Sequence, residues 1–348
     1  MTINAQNTRQ VHKQPITGPL AWTTDQVQGK QSFCRQLDEH HLLEIDHYLS
    51  GVRDRELTDI TVADLAGGHL RKFMDRARTD IQDGLGMLII QGCNLQRYSR
   101  EDFERIFWMM GLFLGTPISQ SVFGERIAHV RHAPNNPSNR TYRTTRELIH
   151  HTDTPDALGL MCVRTAKSGG LSTAVSSLAI HNEILATRPQ LLPALYTGAP
   201  YHRFSQELPG QEPVSPYDVP VFCQQDGLVS CMYVRHMIMH GATVLGRPLA
   251  QDLQEAMDYF DQLATSPKFA MAFEFEPGDA MFINNRTMLH SRTEYEDHAD
   301  PERKRDLLRL WLDLPQGQRP VIPEMDPYQQ PASGGRGGVA YQPAKTLA

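Results

Sequence analysis

The sequence predicts a mainly β fold, a β-sandwich or jelly roll decorated with helices, and two observations support this prediction. Helical patterns dominate the first third of the chain, whereas short apolar segments separated by turn residues dominate the rest. Helices followed by many short strands are typical of sandwiches and jelly rolls with helical decoration. No internal repeat of roughly 20–50 residues is visible, which argues against a solenoid or a propeller.

Three helices and one strand are expected in the first third. Apolar residues at helical spacing indicate helices over Gln36–Tyr48 and Ala63–Gln82. The apolar run inside Gly86–Gly92 is bounded by glycines and indicates a short buried strand. Ser99-Arg-Glu-Asp102 is a variant of the capping box and opens a third helix, which ends at Gly115.

Short strand-like segments dominate the remainder. A turn at Gln224–Gly227 between two apolar runs indicates a hairpin, and helices are expected over Ser177–Leu195 and Pro248–Leu263. The strand-like segments, in chain order, are Ser119–Arg131, Leu158–Arg164, Leu171–Ser176, Phe269–Glu276, Ala280–Ile283 and Asp306–Leu314.

Composition limits the classes of protein to which the chain can belong. Its 348 residues carry 40 acidic and 34 basic side chains, a net charge of −6, with 40% hydrophobic and 21% charged residues. These values suit a folded chain with a sizeable core and argue against nucleic acid as the main partner. No apolar run approaches the ~18 residues that a membrane span needs. The polar start at Met1–Thr17 lacks the pattern of a signal peptide.

We expect one cytoplasmic domain over residues 1–348, with a core at about 86–315, a lead-in at 1–30 and an irregular tail at 316–348. The tail at Gly334–Gly338 could be disordered, close the active site or contact a neighbouring molecule, and its composition favours disorder. The five cysteines are odd in number and lack CxxC spacing, which fits reduced thiols. The expected partner is a small-molecule substrate, and we expect binding to neither nucleic acid nor a membrane. Whether the chain forms a homo-oligomer stays open.

Fifteen histidines direct the search for function to metal binding and acid–base chemistry. On a strand, residues i and i+2 share a face, so His-x-Asp/Glu is a usual metal-binding pair. Three such pairs occur, about as many as composition alone yields: His151/Asp153, His181/Glu183 and His298/Asp300. The second pair lies in a predicted helix, where i and i+2 diverge, and the third lies in a highly charged loop. We therefore expect His181 and His298 at the solvated surface, and His151 with Asp153 as candidate ligands.

The downstream sequence adds a third ligand and two arginines. His290 follows Asp153 by 137 residues, and together with His151 these residues form the candidate metal triad. Arg305 and Arg309 lie 15 and 19 residues beyond His290, in an otherwise apolar strand. Positions four apart share a face of a strand, and a buried guanidinium is costly unless it meets an anion. A structural ion pair would explain one arginine, whereas two arginines behind a metal triad indicate a carboxylate-bearing ligand.

In this order the residues resemble a known family. From about Gly86 to Pro315 the chain resembles the taurine dioxygenase/clavaminate synthase family of Fe(II)- and 2-oxoglutarate-dependent oxygenases. The metal triad and the arginine strand match the His-x-Asp…His…Arg order and approximate spacing of that family. Ser168-Gly-Gly-Leu-Ser-Thr173 resembles its Gly-Gly segment, whose hydroxyl residue helps to hold 2-oxoglutarate. The gap between His290 and Arg305 is a few residues longer than in the taurine enzyme.

The resemblance implies a double-stranded β-helix, the jelly-roll or cupin-like barrel, in which the metal triad binds Fe(II) and leaves positions for 2-oxoglutarate and O2. It implies that Arg305 pairs with the distal carboxylate of 2-oxoglutarate, aided by Ser172 or Thr173, a choice that the sequence leaves open. Arg309 matches the position that binds the anionic group of the substrate in the taurine enzyme, and a second structural or cosubstrate contact fits it nearly as well. Tyr142 either lines the pocket or packs in the core.

The expected reaction is oxidation of a small anionic or amino-acid-like molecule, by hydroxylation, desaturation or cyclisation, with release of succinate and CO2. Two rival functions stay open: a 2-oxoglutarate-independent metal enzyme on the same fold, and a non-catalytic protein that binds a metal or a small acid. The complete triad argues against the second rival, because a pure sensor has no need of open iron positions. The substrate stays undetermined because pocket-lining loops carry that choice.

Overall fold

Two β-sheets form the centre of the fold, and helices cover the outer face of the larger sheet. The structure is a computed structural model that describes residues 10–65, 67–133, 141–314 and 319–343. The α-helices are α1 (Glu39–Val52), α2 (His69–Gln82), α3 (Arg100–Leu114), α4 (Ser177–Thr187), α5 (Leu192–Thr197), α6 (Arg235–Val244) and α7 (Gln251–Ala264). The strands are β1 (Cys34–Gln36), β2 (Met87–Gln91), β3 (Thr116–Pro117), β4 (Ile127–Val130), β5 (Leu148–His151), β6 (Ala157–Arg164), β7 (Ser168–Gly169), β8 (Ser172–Ser176), β9 (Phe222–Gln225), β10 (Leu228–Cys231), β11 (Met271–Phe273), β12 (Ala280–Asn284), β13 (Met288–Arg292), β14 (Tyr295–Glu296) and β15 (Asp306–Asp313).

The larger sheet has seven strands in the order β1-β2-β12-β6-β15-β3, with β4 also paired to β15. Both of its faces are buried, which explains why most residues of β15 are apolar. Leu308, Leu310 and Leu312 belong to the apolar cluster that the sheet forms with α1, α2 and α3. Leu307 and Trp311 belong to the other cluster, which lies between the two sheets. Because side chains alternate across a strand, β15 has one row that faces the helices and one that faces the smaller sheet.

The smaller sheet has the antiparallel order β11-β8-β13-β5. Two short ladders, β9 with β10 and β7 with β14, lie outside the main sheets. The β9–β10 ladder is the predicted hairpin, and Asp226 and Gly227 at its turn have φ values of 52° and 78°. Positive φ at both central residues is what a type I′ turn requires, and this turn matches the twist of the flanking strands.

Most of the predicted elements are confirmed with shifted ends. The third helix begins at its predicted cap, because the Ser99 hydroxyl accepts from the Asp102 N–H and the Asp102 carboxylate accepts from the Ser99 N–H, each at 3.2 Å. α1 begins after Asp38, whose carboxylate accepts from the His41 N–H at 3.1 Å. Strands β2, β8 and β15 lie within their predicted segments, and β6 and β12 each extend one residue beyond theirs.

Two predicted segments are wrong in part. The helix expected from Ala63 begins only at His69, where the Glu44 carboxylate of α1 accepts the first two helical N–H groups at 2.7 and 2.8 Å. This cap comes from a residue distant in sequence, so local spacing does not reveal it. Within the expected strand Ser119–Arg131 only β4 is a strand, because the chain before it turns, with the Gly124 N–H donating to the Ser121 carbonyl.

The prediction of a mainly β fold is only partly confirmed, because the fold contains both α-helices and β-sheets. Among the described residues the α-helices contain more residues than the strands, and the strands form separate sheets without closing into a barrel. Helix α4 follows β8 directly and α7 precedes β11, so the helical content is spread along the chain rather than confined to its start. None of the helices in the described ranges is both long and apolar enough to cross a membrane.

The expectation of a disordered tail is wrong for residues 319–343. These residues are irregular, but Ile322, Met325 and Val339 are buried in the cluster between the sheets. Gly337 has φ +76°, and a Cβ there would lie 2.1 Å from the Thr154 carbonyl oxygen. The glycines that suggest disorder by composition therefore serve, at this position, a close approach of two backbones.

An ion pair fastens the same tail to the larger body of the protein. The Arg336 guanidinium donates to the Asp156 carboxylate, with its Nε 2.9 Å from Oδ1. Asp156 is 2% exposed and also pairs with the buried Arg286, whose Nε lies 3.2 Å from the same oxygen. Asp156 lies just beyond the candidate ligand Asp153, so the tail is attached next to the candidate site.

We expect Arg336→Met to lower the free energy of unfolding by about 1.5–3 kcal/mol, the usual range for a hydrogen bond to a charged group. Urea unfolding measures this change, and limited proteolysis is expected to cleave the released tail first. Arg188→Met is the matched control, because the exposed Arg188–Glu255 pair at 3.7 Å belongs to a class worth about 0–1 kcal/mol. Equal losses in the two variants would contradict the account of the tail.

Candidate active site

The three residues of the metal triad meet on the smaller sheet. His151 ends β5, Asp153 follows it by two residues, and His290 lies in β13. β13 pairs with β5 so that His290 is opposite His151, and the two ring centroids are 4.3 Å apart. One ligand atom from each of the three residues lies within 4.8 Å of the other two. The structure therefore brings together the residues that the sequence singled out.

Hydrogen bonds keep the chain extended beyond the end of β5. The Thr152 N–H donates to the Tyr233 carbonyl at 2.9 Å, and the Tyr233 N–H donates to the Thr152 hydroxyl at 3.0 Å. The Asp153 N–H donates to the side-chain oxygen of Asn285 at 3.2 Å. Because the segment stays extended, His151 and Asp153 project from the same face, as residues i and i+2 of a strand do.

The Asp153 carboxylate is held in its ionised form. Its Oδ2 accepts a hydrogen bond from the Trp311 indole N–H at 2.9 Å and lies 3.9 Å from the Arg309 guanidinium. Burial alone would raise the pKa of Asp153, but Arg309, the two triad imidazoles and the Trp311 N–H outweigh it and lower the pKa. Trp311 thus orients the Asp153 carboxylate, and the remaining lone pairs of the carboxylate oxygens stay open to a cation.

The two imidazoles offer lone pairs to the same point. Nδ1 of His151 donates to the Ile149 carbonyl at 2.8 Å, which leaves Nε2 as the acceptor nitrogen of the neutral ring. Burial, and then the neighbouring His151, lower the pKa of His290 to about 3, so the His290 ring is neutral. Nδ1 of His290 is buried and has no hydrogen-bond partner among the described residues. Two imidazoles, one with an unpartnered nitrogen, and an ionised carboxylate fit a divalent transition metal.

A cavity of about 160 Å³ lies beside the triad, between the two sheets. Its wall is apolar on the side of Leu158, Leu160 and Leu307, and polar groups converge on the other side. The polar and aromatic lining residues include Tyr142, Ser172, Arg292, Arg305, Arg309, Trp311 and Tyr328, together with the three triad residues. The two arginines predicted to point inward from the last strand do so.

Arg305 and Arg309 are buried, and each has only part of its donors in use. Nη1 of Arg305 donates to the Val130 carbonyl at 3.2 Å, and no described carboxylate forms an ion pair with this guanidinium. Nε of Arg309 donates to the Gln120 side-chain oxygen at 2.7 Å, whereas its Nη2 is buried and without a partner in the described ranges. A carboxylate or another anion in the cavity would supply the missing acceptors.

Strand register separates the two hydroxyl candidates. Ser172 is opposite Arg292 in the β8–β13 ladder and lines the cavity. Thr173 is opposite Ser291, and its hydroxyl bonds to the Ser291 hydroxyl and, at 2.8 Å, to Nε2 of His150. Neighbouring residues of a strand face opposite sides, so Ser172 and not Thr173 is the hydroxyl on the cavity side.

The other two His-x-acid pairs lie apart from the triad. His298 and Asp300 are in the charged loop as expected, where Asp300 caps a short 3₁₀ turn. The expectation of a solvated surface for His181 is wrong: this imidazole is fully buried on α4 and bonds to the Tyr196 hydroxyl at 3.0 Å. α4 is buried on several sides, so its polar residues are not confined to a solvent-facing stripe.

Several residues of the site were missed by the sequence reasoning. Arg292 lies two residues after His290 and shares its face of β13, which is a signal that the sequence contains. Trp311 lies two residues after Arg309 in β15, the same period-two signal. Tyr328 comes from the tail, and no local pattern indicates that it reaches the cavity. Tyr142, for which packing was the alternative, lies in the cavity wall with the Arg309 guanidinium 4.2 Å from its ring centre.

The fold and the site together define a non-haem iron- and 2-oxoglutarate-dependent oxygenase. Residues 53–311 match the model of the family described as taurine catabolism dioxygenase TauD, TfdA family, and the chain belongs to this family.

Relatives and solved structures agree with this family. The chain is 27% identical to FR-33289 synthase of Streptomyces rubellomurinus, over 89% of this chain and 94% of that protein. It is 26% identical to the taurine hydroxylase-like protein SAT17 of Stachybotrys chartarum, over 85% and 79%. Asparagine oxygenase in complex with Fe(II), 2S,3S-3-hydroxyasparagine and succinate superposes with a TM-score of 0.64 at 15% identity, covering 81% of this chain and 94% of that one. The non-haem iron oxygenase OrfP with Fe and α-ketoglutaric acid superposes with a TM-score of 0.58 at 14% identity, over 80% and 94%.

A buried carboxylate holds the strand that carries the cavity arginines. Asp306 directly follows Arg305 and is fully buried. It accepts from Arg100 at 2.7 Å and contacts Nδ1 of His129 at 2.9 Å, with Arg164 at 3.6 Å. The hydrogen bond from His129 to Asp306 and, to a smaller extent, the one to Glu104 raise the pKa of His129 to about 9. This network fixes the start of β15 and with it the position of Arg305.

The network predicts a pH-dependent contribution to stability. A histidine whose pKa is raised on folding stabilises the fold fully below its unfolded value, here 6.5, and loses this effect as the pH rises through about 9. We expect His129→Gln to lower the free energy of unfolding by about 1–2 kcal/mol at pH 6 and by little at pH 10. Urea unfolding of both proteins at the two pH values measures this. A difference independent of pH would contradict the charged His129–Asp306 contact.

Proposed function

We propose that His151, Asp153 and His290 bind Fe(II) and that the cavity beside them binds 2-oxoglutarate and a small anionic or amino-acid-like substrate. The observation that carries this proposal is the pairing of a 2-His-1-carboxylate cluster with buried guanidinium donors that lack acceptors. When bound, Fe(II) with 2-oxoglutarate and O2 supplies the oxidant that removes hydrogen from the substrate, with release of succinate and CO2.

The residues of the chain have distinct tasks in this proposal. Trp311 holds one oxygen of Asp153 so that the carboxylate cannot rotate away from the metal. Ile149, through its carbonyl, sets the tautomer of His151. Leu158, Leu160 and Leu307 exclude water from the cavity, which strengthens each charged contact within it.

Arg305 and Ser172 are the proposed contacts of 2-oxoglutarate. Both line the cavity, and Arg305 is a buried guanidinium without an ion-pair partner in the described part of the chain. A planar guanidinium forms paired hydrogen bonds to a carboxylate, and the serine hydroxyl adds a further donor. The register that directs Thr173 away supports the choice of Ser172.

Arg309 and Tyr142 are the proposed contacts of the substrate. The unpartnered Nη2 of Arg309 favours an anionic group, and the ring of Tyr142 beside it adds an apolar wall. The solved relatives described as asparagine oxygenase and as OrfP bound to hydroxyarginine support an amino-acid-like substrate. We also propose that the two sheets are the halves of a double-stranded β-helix, and that residues 1–348 act as one cytoplasmic domain.

Anaerobic addition of Fe(II) and 2-oxoglutarate tests the metal and cosubstrate assignment. We expect a metal-to-ligand charge-transfer absorbance in the wild-type protein and its loss in His151→Ala, because one of the three ligands is gone. His298→Ala is the matched control, since it removes the histidine of a His-x-Asp pair outside the triad. Absence of the band in the wild type, or its equal loss in both variants, would contradict the proposal.

A succinate-release screen across amino acids, sulfonates, phosphonates and carrier-bound acyl groups identifies the substrate class. With the best substrate we expect Arg309→Met to raise KM at least about tenfold, the usual effect of losing a charge-assisted hydrogen bond. Arg235→Met is the control, because Arg235 pairs with Asp258 and Asp261 and does not line the cavity. If KM is unchanged and the charge-transfer band is weakened instead, the result would contradict the assignment of Arg309 to the substrate and assign it to 2-oxoglutarate.

A further inference from the structure

Arg292 is a third buried arginine of the cavity, and the sequence pattern of the triad does not account for it. It lies two residues after His290 in β13, so both side chains project from the same face of the smaller sheet. It is 4% exposed, lines the cavity and is opposite Ser172 in the β8–β13 ladder. Arg292 therefore lies beside the proposed hydroxyl contact of 2-oxoglutarate.

Backbone carbonyls hold one edge of the Arg292 guanidinium and leave the other edge open. Nη2 donates to the carbonyls of Thr144, at 3.2 Å, and Arg146, and Nε donates to the Thr293 carbonyl at 3.3 Å. Nη1 is buried and has no hydrogen-bond partner among the described residues. A role confined to bridging loops would use the Nε and Nη2 donors only, and it leaves the buried Nη1 unexplained.

Arg292 and Arg305 form a pair of like charges around one aromatic ring. Their guanidinium carbons lie 4.7 and 5.1 Å from the ring centre of Tyr295. Asp297 accepts the Arg305 backbone N–H at 2.8 Å and acts on both guanidinium groups through its charge, but within the described ranges it forms no ion pair with either. It therefore leaves the buried Nη1 of Arg292 without an acceptor, and an anion in the cavity would supply one.

We propose that Arg292 and Arg305 together clamp the distal carboxylate of 2-oxoglutarate, with Ser172 completing the subsite; this inference rests on the proposed function. A carboxylate has about four lone-pair directions, so it can accept from two guanidinium groups and a hydroxyl at once. Arg309 is less suited to this subsite, because it contacts Tyr142, Trp311 and Asp153 instead.

The clamp has a consequence for cosubstrate selection. Two guanidinium groups at the end of the subsite favour a 2-oxo acid with a second carboxylate over one that ends in a methyl group. 2-Oxopentanoate has the same chain length and the same keto-acid end as 2-oxoglutarate, but it lacks the distal carboxylate. Loss of Arg292 is therefore expected to weaken the binding of 2-oxoglutarate and to leave the binding of 2-oxopentanoate almost unchanged.

The test is an anaerobic titration of the Fe(II)-loaded protein with each 2-oxo acid, in which the charge-transfer absorbance reports binding rather than turnover. We expect Arg292→Met to raise the Kd of 2-oxoglutarate by about tenfold or more and that of 2-oxopentanoate by less than about twofold. Arg292→Lys, which keeps the charge but not the planar fork, is expected to be intermediate and serves if the methionine variant does not fold. Arg319→Met is the control, because Arg319 is bonded to the Val229 carbonyl and does not line the cavity.

The possible results separate a cosubstrate contact of Arg292 from a purely structural role. An equal loss for both acids would assign Arg292 a purely structural role and overturn the clamp, and so would no loss for either acid. If the charge-transfer band forms in the wild type and the Arg292 variants behave like the wild type, only the clamp is overturned. The proposed function is then unaffected. Absence of a band with either acid in the wild type would overturn the proposed function together with the clamp.

Discussion

The pairing of β13 with β5 on one side and β8 on the other is the constraint on which the rest of the site depends. The pairing places His290 opposite His151 in β5 and Arg292 opposite Ser172 in β8. Because side chains alternate along a strand, a slip by one residue would turn every one of these groups to the far side of the sheet. Thr173, one position away, shows the effect, since it bonds to His150 on the side away from the cavity. The candidate metal triad and the proposed cosubstrate contacts Ser172 and Arg292 are thus positioned by the same backbone hydrogen bonds.

The second constraint is the double-faced burial of β15. Leu308, Leu310 and Leu312 pack under the helices, and the alternate row carries Arg309 and Trp311 into the cavity. A guanidinium in such a strand is desolvated by the fold itself, so its remaining donors need an acceptor from a ligand. The same row supplies the hydrogen bond that orients Asp153, which couples anion binding to the geometry of the metal site. The unpartnered donors of the cavity would therefore favour an anionic ligand.

The metal triad and the two arginines of the last strand could be predicted because each depends on a period of two along an extended segment. Arg292 obeys the same rule, two residues after His290, but it lies outside the His-x-Asp…His…Arg pattern on which the prediction of the site rested. His181 and the tail could not be predicted from local sequence. Burial of His181 depends on what packs around α4, and the tail is held by Arg336 on Asp156, a contact between distant segments. The mixed fold and the late start of α2 have the same origin, since tertiary contacts override local spacing.

The central claim is that one face of the smaller sheet holds a metal and the keto acid in a fixed relation. The most direct measurement is a crystal structure of the protein with Mn(II) and 2-oxoglutarate, prepared without oxygen, with the metal located by anomalous scattering. The account predicts one metal ion bound by His151, Asp153 and His290, and a distal carboxylate between Arg292 and Arg305. A metal ion at any other group of residues, or a cosubstrate whose distal carboxylate lies away from both arginines, would contradict it.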